Sequence, residues 1–208
     1  MTGLSICGAR YTRHNPERAG DIPTPGWDLA QGSEKLAGMT EEMVALYDAD
    51  GHPSGQAPRS VMRRENLRHG ATGILVSNSA GQVYVHRRTD TKDVYPGHHD
   101  FAAGGVMAAG EEPLESARRE LAEELGINGV ELHPVGEADY RDERLDMHAW
   151  LYHVVWDGPV VHQASEVAWG GWMDPDQVQA MIDDPQVPVM PDAVAVWEAF
   201  DWPSLVRP

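Results

Sequence analysis

The sequence predicts an α/β chain of the mixed, α+β kind, with one mixed sheet covered by helices on both faces. Three observations carry that expectation. Strand-like and helix-like segments alternate without a regular rhythm, and turn signals at Asp50-Gly51 and Asn78 to Gly81 sit between short strand-like runs, as hairpins require. One long amphipathic segment is bracketed by Pro113 and Gly126, the residues that start and stop a helix.

Taken in order, residues 1–39 read as a poorly ordered extension, because prolines and glycines are scattered among charged residues with no period of two or 3.6. Met39 stands where patterned sequence begins and is a candidate translation start. Residues 40–208 are expected to form a single domain. Met43 to Tyr47 is a short strand, turned at Asp50-Gly51 into a second, and Ser60 to Leu67 suits a short helix. Ala71 to Val76 is an apolar run that suits a buried strand. Val83 and Val85 alternate with Gln82, Tyr84 and His86, so a hairpin or adjacent strand pair is expected. Tyr95-Pro96-Gly97 marks a loop, Phe101 to Ala103 a short strand, and Pro113 to Leu125 a helix with Leu114, Ala117, Leu121 and Leu125 as its core stripe. Glu131 to Gly136 and His148 to Trp156 read as strands. Asp174 to Ile182 and Pro191 to Phe200 read as helices.

The chain has 208 residues, long enough for a single core to bury about 70% of the surface an unfolded chain exposes. Cys7 is the only cysteine, which excludes an internal disulfide and a Cys-rich zinc site and suits a reducing, cytoplasmic setting. A net charge of −17 weighs against a duplex nucleic-acid binder, whose affinity rests on Lys and Arg meeting phosphates. No apolar run approaches the ~20 residues of a membrane-spanning helix.

Glu120, Glu123 and Glu124 lie at i, i+3 and i+4, within a 100° arc of one helix surface. Like charges so placed repel, and Arg118 and Arg119 offset only part of the repulsion. A hard cation would offset it better, and Mg²⁺ takes carboxylate oxygens and is commonly shared with substrate phosphates. An isolated segment of this composition is more often a solvated, salt-bridged helix face.

The segment is not isolated. Gly105, Glu111, Arg119, Glu120, Leu121, Glu123, Glu124, Gly126 and Ile127 match every fixed position of the Nudix hydrolase signature, so the chain resembles that family over Gly105 to Ile127. The resemblance implies an α/β/α sandwich in which the signature forms a loop-helix-loop. It implies that Glu120 and Glu124 bind Mg²⁺ or Mn²⁺ with the Gly105 carbonyl, and that Glu123 binds metal or deprotonates the attacking water. Arg119 and Glu111 are implied to pair and hold the loop to the helix. Hydrolysing a phosphoanhydride needs phosphate charge neutralised and a hydroxide made near pH 7, and a bound metal serves both needs.

Basic residues gather ahead of this box. Arg59, Arg63, Arg64, Arg68, Arg87, Arg88 and Lys92 face only Glu65 and Asp90 between residues 59 and 92, a local charge of +5. An acidic metal site beside such a segment suits a diphosphate. His86-Arg87-Arg88, Lys92 and Tyr95-Pro96-Gly97 resemble the corresponding segment of isopentenyl-diphosphate isomerase, a Nudix-fold enzyme, and of hydrolases in that branch. The resemblance implies that Arg87, Arg88 and Lys92 hold the diphosphate. The isomerase's chemistry needs a cysteine and a metal-binding histidine where this chain has Gly104 and Val106, so hydrolysis is expected over isomerisation.

Further candidates are Glu143, within the polar run Tyr140 to His148, and Glu166, which with Val167 and Trp172 resembles a late Nudix segment near the metals. His69, His86, His98 and His99 are ambiguous between surface, core and phosphate contact. Of the seven tryptophans, Trp150, Trp156, Trp172 and Trp197 read as core or dimer-interface residues, and Trp169 or Tyr95 could stack on a base. The sequence therefore predicts a metal-dependent hydrolase cleaving the phosphoanhydride of a nucleoside diphosphate derivative or similar small-molecule diphosphate, with a homodimer as the family expectation. A non-catalytic nucleotide- or diphosphate-binding regulator is the alternative, and it would gain little from three repelling carboxylates. The substrate itself is not written in these residues.

Overall fold

The computed structural model describes residues 41–199. The extension expected at 1–39, residue 40 and the end of the closing helix at Phe200 lie outside the described residues.

The described chain forms nine strands and four helices: β1 Met43–Tyr47, β2 Pro53–Pro58, α1 Arg59–Glu65, β3 His69–Ser77, β4 Val83–Arg88, β5 His99–Asp100, β6 Ala102–Val106, α2 Pro113–Leu125, β7 His133–Arg141, β8 Asp146–Val155, β9 Val167–Met173, α3 Pro175–Asp183 and α4 Pro191–Ala199. Strand β3 is the hub. It runs antiparallel to β6 from Ala71↔Val106 to Leu75↔Ala102, and parallel to β8 from His69↔Met147 to Ser77↔Val155. All other pairings are antiparallel, so the sheet is mixed, as expected.

Both faces are covered. On one, Ile74, Val76, Tyr152 and Val154 pack against Ala117, Leu121 and Leu125 of α2. On the other, Leu75, Val83, Val85 and Phe101 pack against Val178 of α3 and Ala193 and Trp197 of α4. Full burial of each Leu or Phe side chain contributes about 1.5–3 kcal/mol. Helix α2 is punctuated as its sequence requires, with Pro113 opening it and Gly126 closing it at φ 68°. Asp174 caps α3 through a reciprocal bond pair with Gln177.

Four local expectations are corrected, and one strand was not foreseen. The first helix spans Arg59–Glu65 and stops short of Leu67, because Asn66 adopts a left-handed conformation at its C-cap. The expected hairpin or adjacent strand pair is present as β3 and β4, antiparallel neighbours joined through the Asn78 to Gly81 turn, and it is short, Ser77↔Val83, because β6 and β8 pair along most of β3. The strand expected at Glu131 to Gly136 is the longer β7, and β8 begins at Asp146 and leaves Trp156 outside. The strand expected at Phe101 to Ala103 begins one residue later, at Ala102, and runs to Val106. Strand β9 was masked in the sequence by its glycines, Gly170 and Gly171.

Candidate active site

The three glutamates occupy the last two turns of α2, a helix with no basic residue in its last turn. The negative end of the helix dipole therefore adds to their mutual repulsion. Glu124 is 4% exposed and accepts a hydrogen bond from the Gly104 amide at 3.0 Å. Burial pushes its carboxyl up to about 7, and the Glu120 and Asp100 charges add to that, against the Gly104 amide and Lys92. Burial likewise raises Glu120, opposed chiefly by Arg119. Glu123 is half exposed.

Arg119 ties these parts together. Its guanidinium donates to both oxygens of Glu111, at 2.8 and 2.9 Å, and Glu111 accepts from the Ala108 amide at 2.9 Å, which fastens the loop to the helix. The same guanidinium reaches Glu120 at 2.6 Å and Glu123 at 3.3 Å. The two glycines of the loop are fixed by contact. A Cβ on Gly105 would lie 2.6 Å from the Glu120 carboxylate, and one on Gly104 would lie 2.0 Å from the Thr72 carbonyl oxygen. The position at which the isomerase carries cysteine is thus closed to any side chain without a shift of β3 or β6.

The donor set suits a hard divalent cation. It consists of carboxylate oxygens, one of them on the nearly fully buried Glu124, which makes no ion pair among the described residues, with the Gly105 backbone pressed against Glu120. The glutamates are not drawn into a closed cage, because Arg119 sits between Glu120 and Glu123. Among the described residues, the trio of ligand atoms lying mutually within 4.8 Å is instead Asp48, Asp50 and His52, all exposed on the β1–β2 turn. There the Asp48 carboxylate is occupied by the Asp50 and His52 amides.

On the other side of Gly104 and Gly105 lies a cavity of about 130 Å³, between β3, β8 and α4. Arg59, Arg63, Arg88 and Lys92 line it, together with Asp93, Asp100 and Asp192. Arg59 and Arg63 arrive together because they are four residues apart on α1. Arg63 pairs with Asp93 at 3.1 Å, Arg59 with Glu42 at 3.0 Å, and Lys92 with Glu166, while Arg88 has no carboxylate partner among the described residues. Burial and the neighbouring Arg88 charge hold Lys92 below the usual lysine range. The rim adjoins the glutamates: the charge of Lys92 acts on Glu124, and that of Arg59 on Glu120.

The remaining candidates are distributed as follows. Arg87 pairs with Asp90 at 2.6 Å and does not line the cavity, a register shift in the β4–β9 pairing separating it from Arg88. Arg64 pairs with Glu65, and Arg68 with Asp139 and Asp146, both away from it. Glu143 stands exposed in the β7–β8 turn, whereas Glu166 reaches the rim through Lys92. His69 lines the cavity and His86 lies beneath Asp100; burial lowers both to about 4, so both are neutral at pH 7. His98 and His99 hydrogen-bond to the carbonyls of Pro96 and Pro188. The Tyr95 hydroxyl is tied to Asp142, and Trp169 is exposed beside His99. Trp197 is core, donating to Gln179 at 3.0 Å. Asp100, Asp192 and Thr72 are the site residues that sequence reasoning missed. No local motif marks them, since they come to line one cavity only when β3, β5 and α4 assemble.

Comparison with known proteins gives a match to the NUDIX domain model over residues 67–193. An uncharacterised Nudix hydrolase of Rhodococcus erythropolis is 41% identical over 172 residues, covering 78% of this chain and 93% of that one. The uncharacterised Nudix hydrolase YfcD of Escherichia coli K12 is 40% identical over 156 residues, covering 75% and 86%. Among solved structures, DR0079 of Deinococcus radiodurans superposes with a TM-score of 0.66 at 24% identity, covering 76% of this chain and 99% of that one.

Proposed function

Since the chain belongs to the Nudix family and is a Nudix hydrolase, we propose that it cleaves the phosphoanhydride bond of a small diphosphate compound with Mg²⁺ or Mn²⁺. The observation that carries this reading is the two-sided wall of Gly104 and Gly105. One side supports Glu120 and Glu124, and the other opens onto four cations, of which Arg88 lacks a carboxylate partner.

Glu120 and Glu124, with the Gly105 carbonyl, would hold the cation, and Glu123, the most exposed of the three, takes the proton of the attacking water. When bound, the cation supplies a Lewis acid that neutralises phosphate charge and makes water acidic near neutral pH. Arg88, Lys92, Arg59 and Arg63 hold the anionic oxygens and orient the scissile bond. Lys92 exchanges Glu166 for phosphate, and Arg119 keeps the loop on the helix. Turnover rises toward alkaline pH as the nucleophile loses its proton. A cytoplasmic setting and a homodimer belong to the same reading as family expectations.

The test is phosphate release from a panel of diphosphate compounds with Mg²⁺ or Mn²⁺. Turnover that is lost in EDTA and in Glu124→Gln supports the proposal. Tight binding of a diphosphate without turnover would replace it with the non-catalytic regulator, and isomerised product would replace it with the isomerase reading that Gly104 disfavours.

A further inference from the structure

Among the described residues, two that are not glycine hold the left-handed backbone conformation, Asn66 at φ 48° and Tyr95 at φ 50°. Asparagine tolerates that conformation, but for a side chain as large as tyrosine it is strained and persists only where neighbours enforce it. Both residues are held by Asp142, in the turn between β7 and β8. The Tyr95 hydroxyl donates to its Oδ2, and the Asn66 side-chain amide donates to its backbone carbonyl at 3.0 Å. The turn is itself braced. Asp142 Oδ1 accepts the amides of Arg144 and Leu145, each at 2.7 Å, and Oδ2 also accepts the Tyr140 hydroxyl at 2.8 Å. Burial would raise the Asp142 carboxyl, but these bonds, the Tyr95 hydroxyl first among them, hold it below the usual carboxylate range, so at neutral pH it only accepts. The Arg144 guanidinium stands over the Tyr95 ring, 5.4 Å from its centroid.

Tyr95 ends a run in which each preceding residue bears on a cation of the rim. Lys92 is one itself, the Asp93 carboxylate pairs with Arg63 at 3.1 Å, and the Val94 carbonyl accepts from Arg88 Nη2 at 3.2 Å. That carbonyl belongs to the planar peptide leading into Tyr95, so once the Tyr95 side chain is pinned, its φ sets where the carbonyl points. Asn66 closes α1, its amide donating to the Arg63 carbonyl at 3.4 Å, and α1 carries both Arg59 and Arg63. Asp142, Tyr95 and Asn66 themselves do not line the cavity. Resting on the reading of the rim as the diphosphate site, we propose that Asp142, through Tyr95 and Asn66, is a positioning residue for the bound diphosphate. It locks α1 and the loop 89–98 to one turn, and so sets Arg59 and Arg63 against Arg88 and Lys92. A guanidinium bonds a phosphate oxygen well only over a narrow range of distance and direction, so a rim that drifts loses affinity while the fold stands. A merely structural brace behaves differently. Tyr95 and Tyr140 donate to the same oxygen, and as a brace their hydroxyls are equivalent; yet Tyr140 lies on β7, two residues from Asp142, and carries no part of the rim.

The experiment measures binding of methylenediphosphonate, whose P–C–P bridge is not an anhydride, by calorimetry with Mg²⁺ in wild type, Tyr95→Phe and Tyr140→Phe. Each protein is kept well below its melting temperature, and phosphate release from the panel of diphosphate compounds is read on the same preparations. Both variants lose one hydroxyl bond to the same oxygen and are expected to lose similar stability, but Tyr95→Phe weakens binding by about tenfold and Tyr140→Phe by no more than about twofold. In turnover the loss in Tyr95→Phe falls on KM, with kcat changed by less than about threefold. Equal losses of affinity in the two variants overturn the proposal, as does unchanged affinity in Tyr95→Phe. Should Tyr95→Phe not fold, Asn66→Gly takes its place, since glycine accepts the left-handed cap and only the tie to Asp142 is lost; affinity then falls by about threefold, and unchanged affinity overturns the proposal. No binding to wild type overturns it together with the diphosphate reading of the rim. Binding that depends on Tyr95, without phosphate release from any compound, upholds the proposal and removes the hydrolytic reading. Phosphate release with the same KM in Tyr95→Phe and wild type keeps hydrolysis and overturns the proposal.

Discussion

Carboxylates are buried at both ends of the site, and the protein treats them differently. At the glutamate end, Glu124 receives the Gly104 amide and makes no ion pair among the described residues, while Glu120 shares the Arg119 guanidinium with Glu111 and Glu123. At the cavity end, Asp192 Oδ1 receives nothing. Burial raises the carboxyl in both places, Glu124 with Glu120 and Asp100 as charged neighbours and Asp192 with Asp100. The contrast separates two kinds of incompleteness: Glu124 lacks a countercharge, which a cation would supply, and Asp192 Oδ1 lacks a hydrogen-bond donor.

The largest effect should come from removing charge at the first end. Glu124→Gln is expected to lower kcat on the order of 10²–10³-fold. In metal-free protein at about pH 8 it should also raise stability by on the order of 2–3 kcal/mol, because the buried charge is gone. Denaturant unfolding beside steady-state kinetics checks both, and a variant that is inactive and less stable would break the comparison.

The cations at the rim give the next effect. Arg88→Met should raise KM by about 10–100-fold, the loss of a charge-assisted bond, while Arg87→Met stays within about threefold because its guanidinium turns to Asp90. Equal effects in the two variants would mean that the register shift between Arg87 and Arg88 does not sort them.

A smaller effect is the pH dependence of metal-free stability. The folded-state pKa of Glu124 lies above its unfolded value, so its contribution is fully present below about 4.5 and is lost as pH rises through about 7. Unfolding free energy should fall across that window by up to about 3 kcal/mol. Glu124→Gln should flatten most of the fall, leaving the part owed to Asp192 and Glu120, which burial raises in the same direction. The smallest effect is structural: Arg119→Lys cannot bridge both oxygens of Glu111 and should cost about 1 kcal/mol, read as a lower denaturant midpoint.

The same two ends differ in how far they can be read from the chain. Glu111, Arg119, Glu120, Glu123 and Glu124 lie within one loop and one helix, so helical spacing alone puts the carboxylates on one face, and the Glu111–Arg119 pair spans only eight residues. The cavity draws Arg63 from α1, Thr72 from β3, Arg88 from β4, Asp100 from β5 and Asp192 from α4, which no local period relates. Arg87 and Arg88 show the limit within a single strand. The charge cluster was visible, but which of the two faces the cavity depends on a register set by β9 and β5. The β3–β4 pair was legible from the Asn78 to Gly81 turn, but its shortness was not, because β6 and β8 compete for the edges of β3.

The most direct test of the account is a Mg²⁺ and Mn²⁺ titration read by melting temperature, at about pH 6 and about pH 8.5, in wild type and Glu124→Gln. If the glutamates of α2 form a site short of one cation, metal raises the melting temperature, does so more at the higher pH where Glu124 is ionised, and does so hardly at all in the variant. An equal rise in the variant, or none in wild type at either pH, would contradict it.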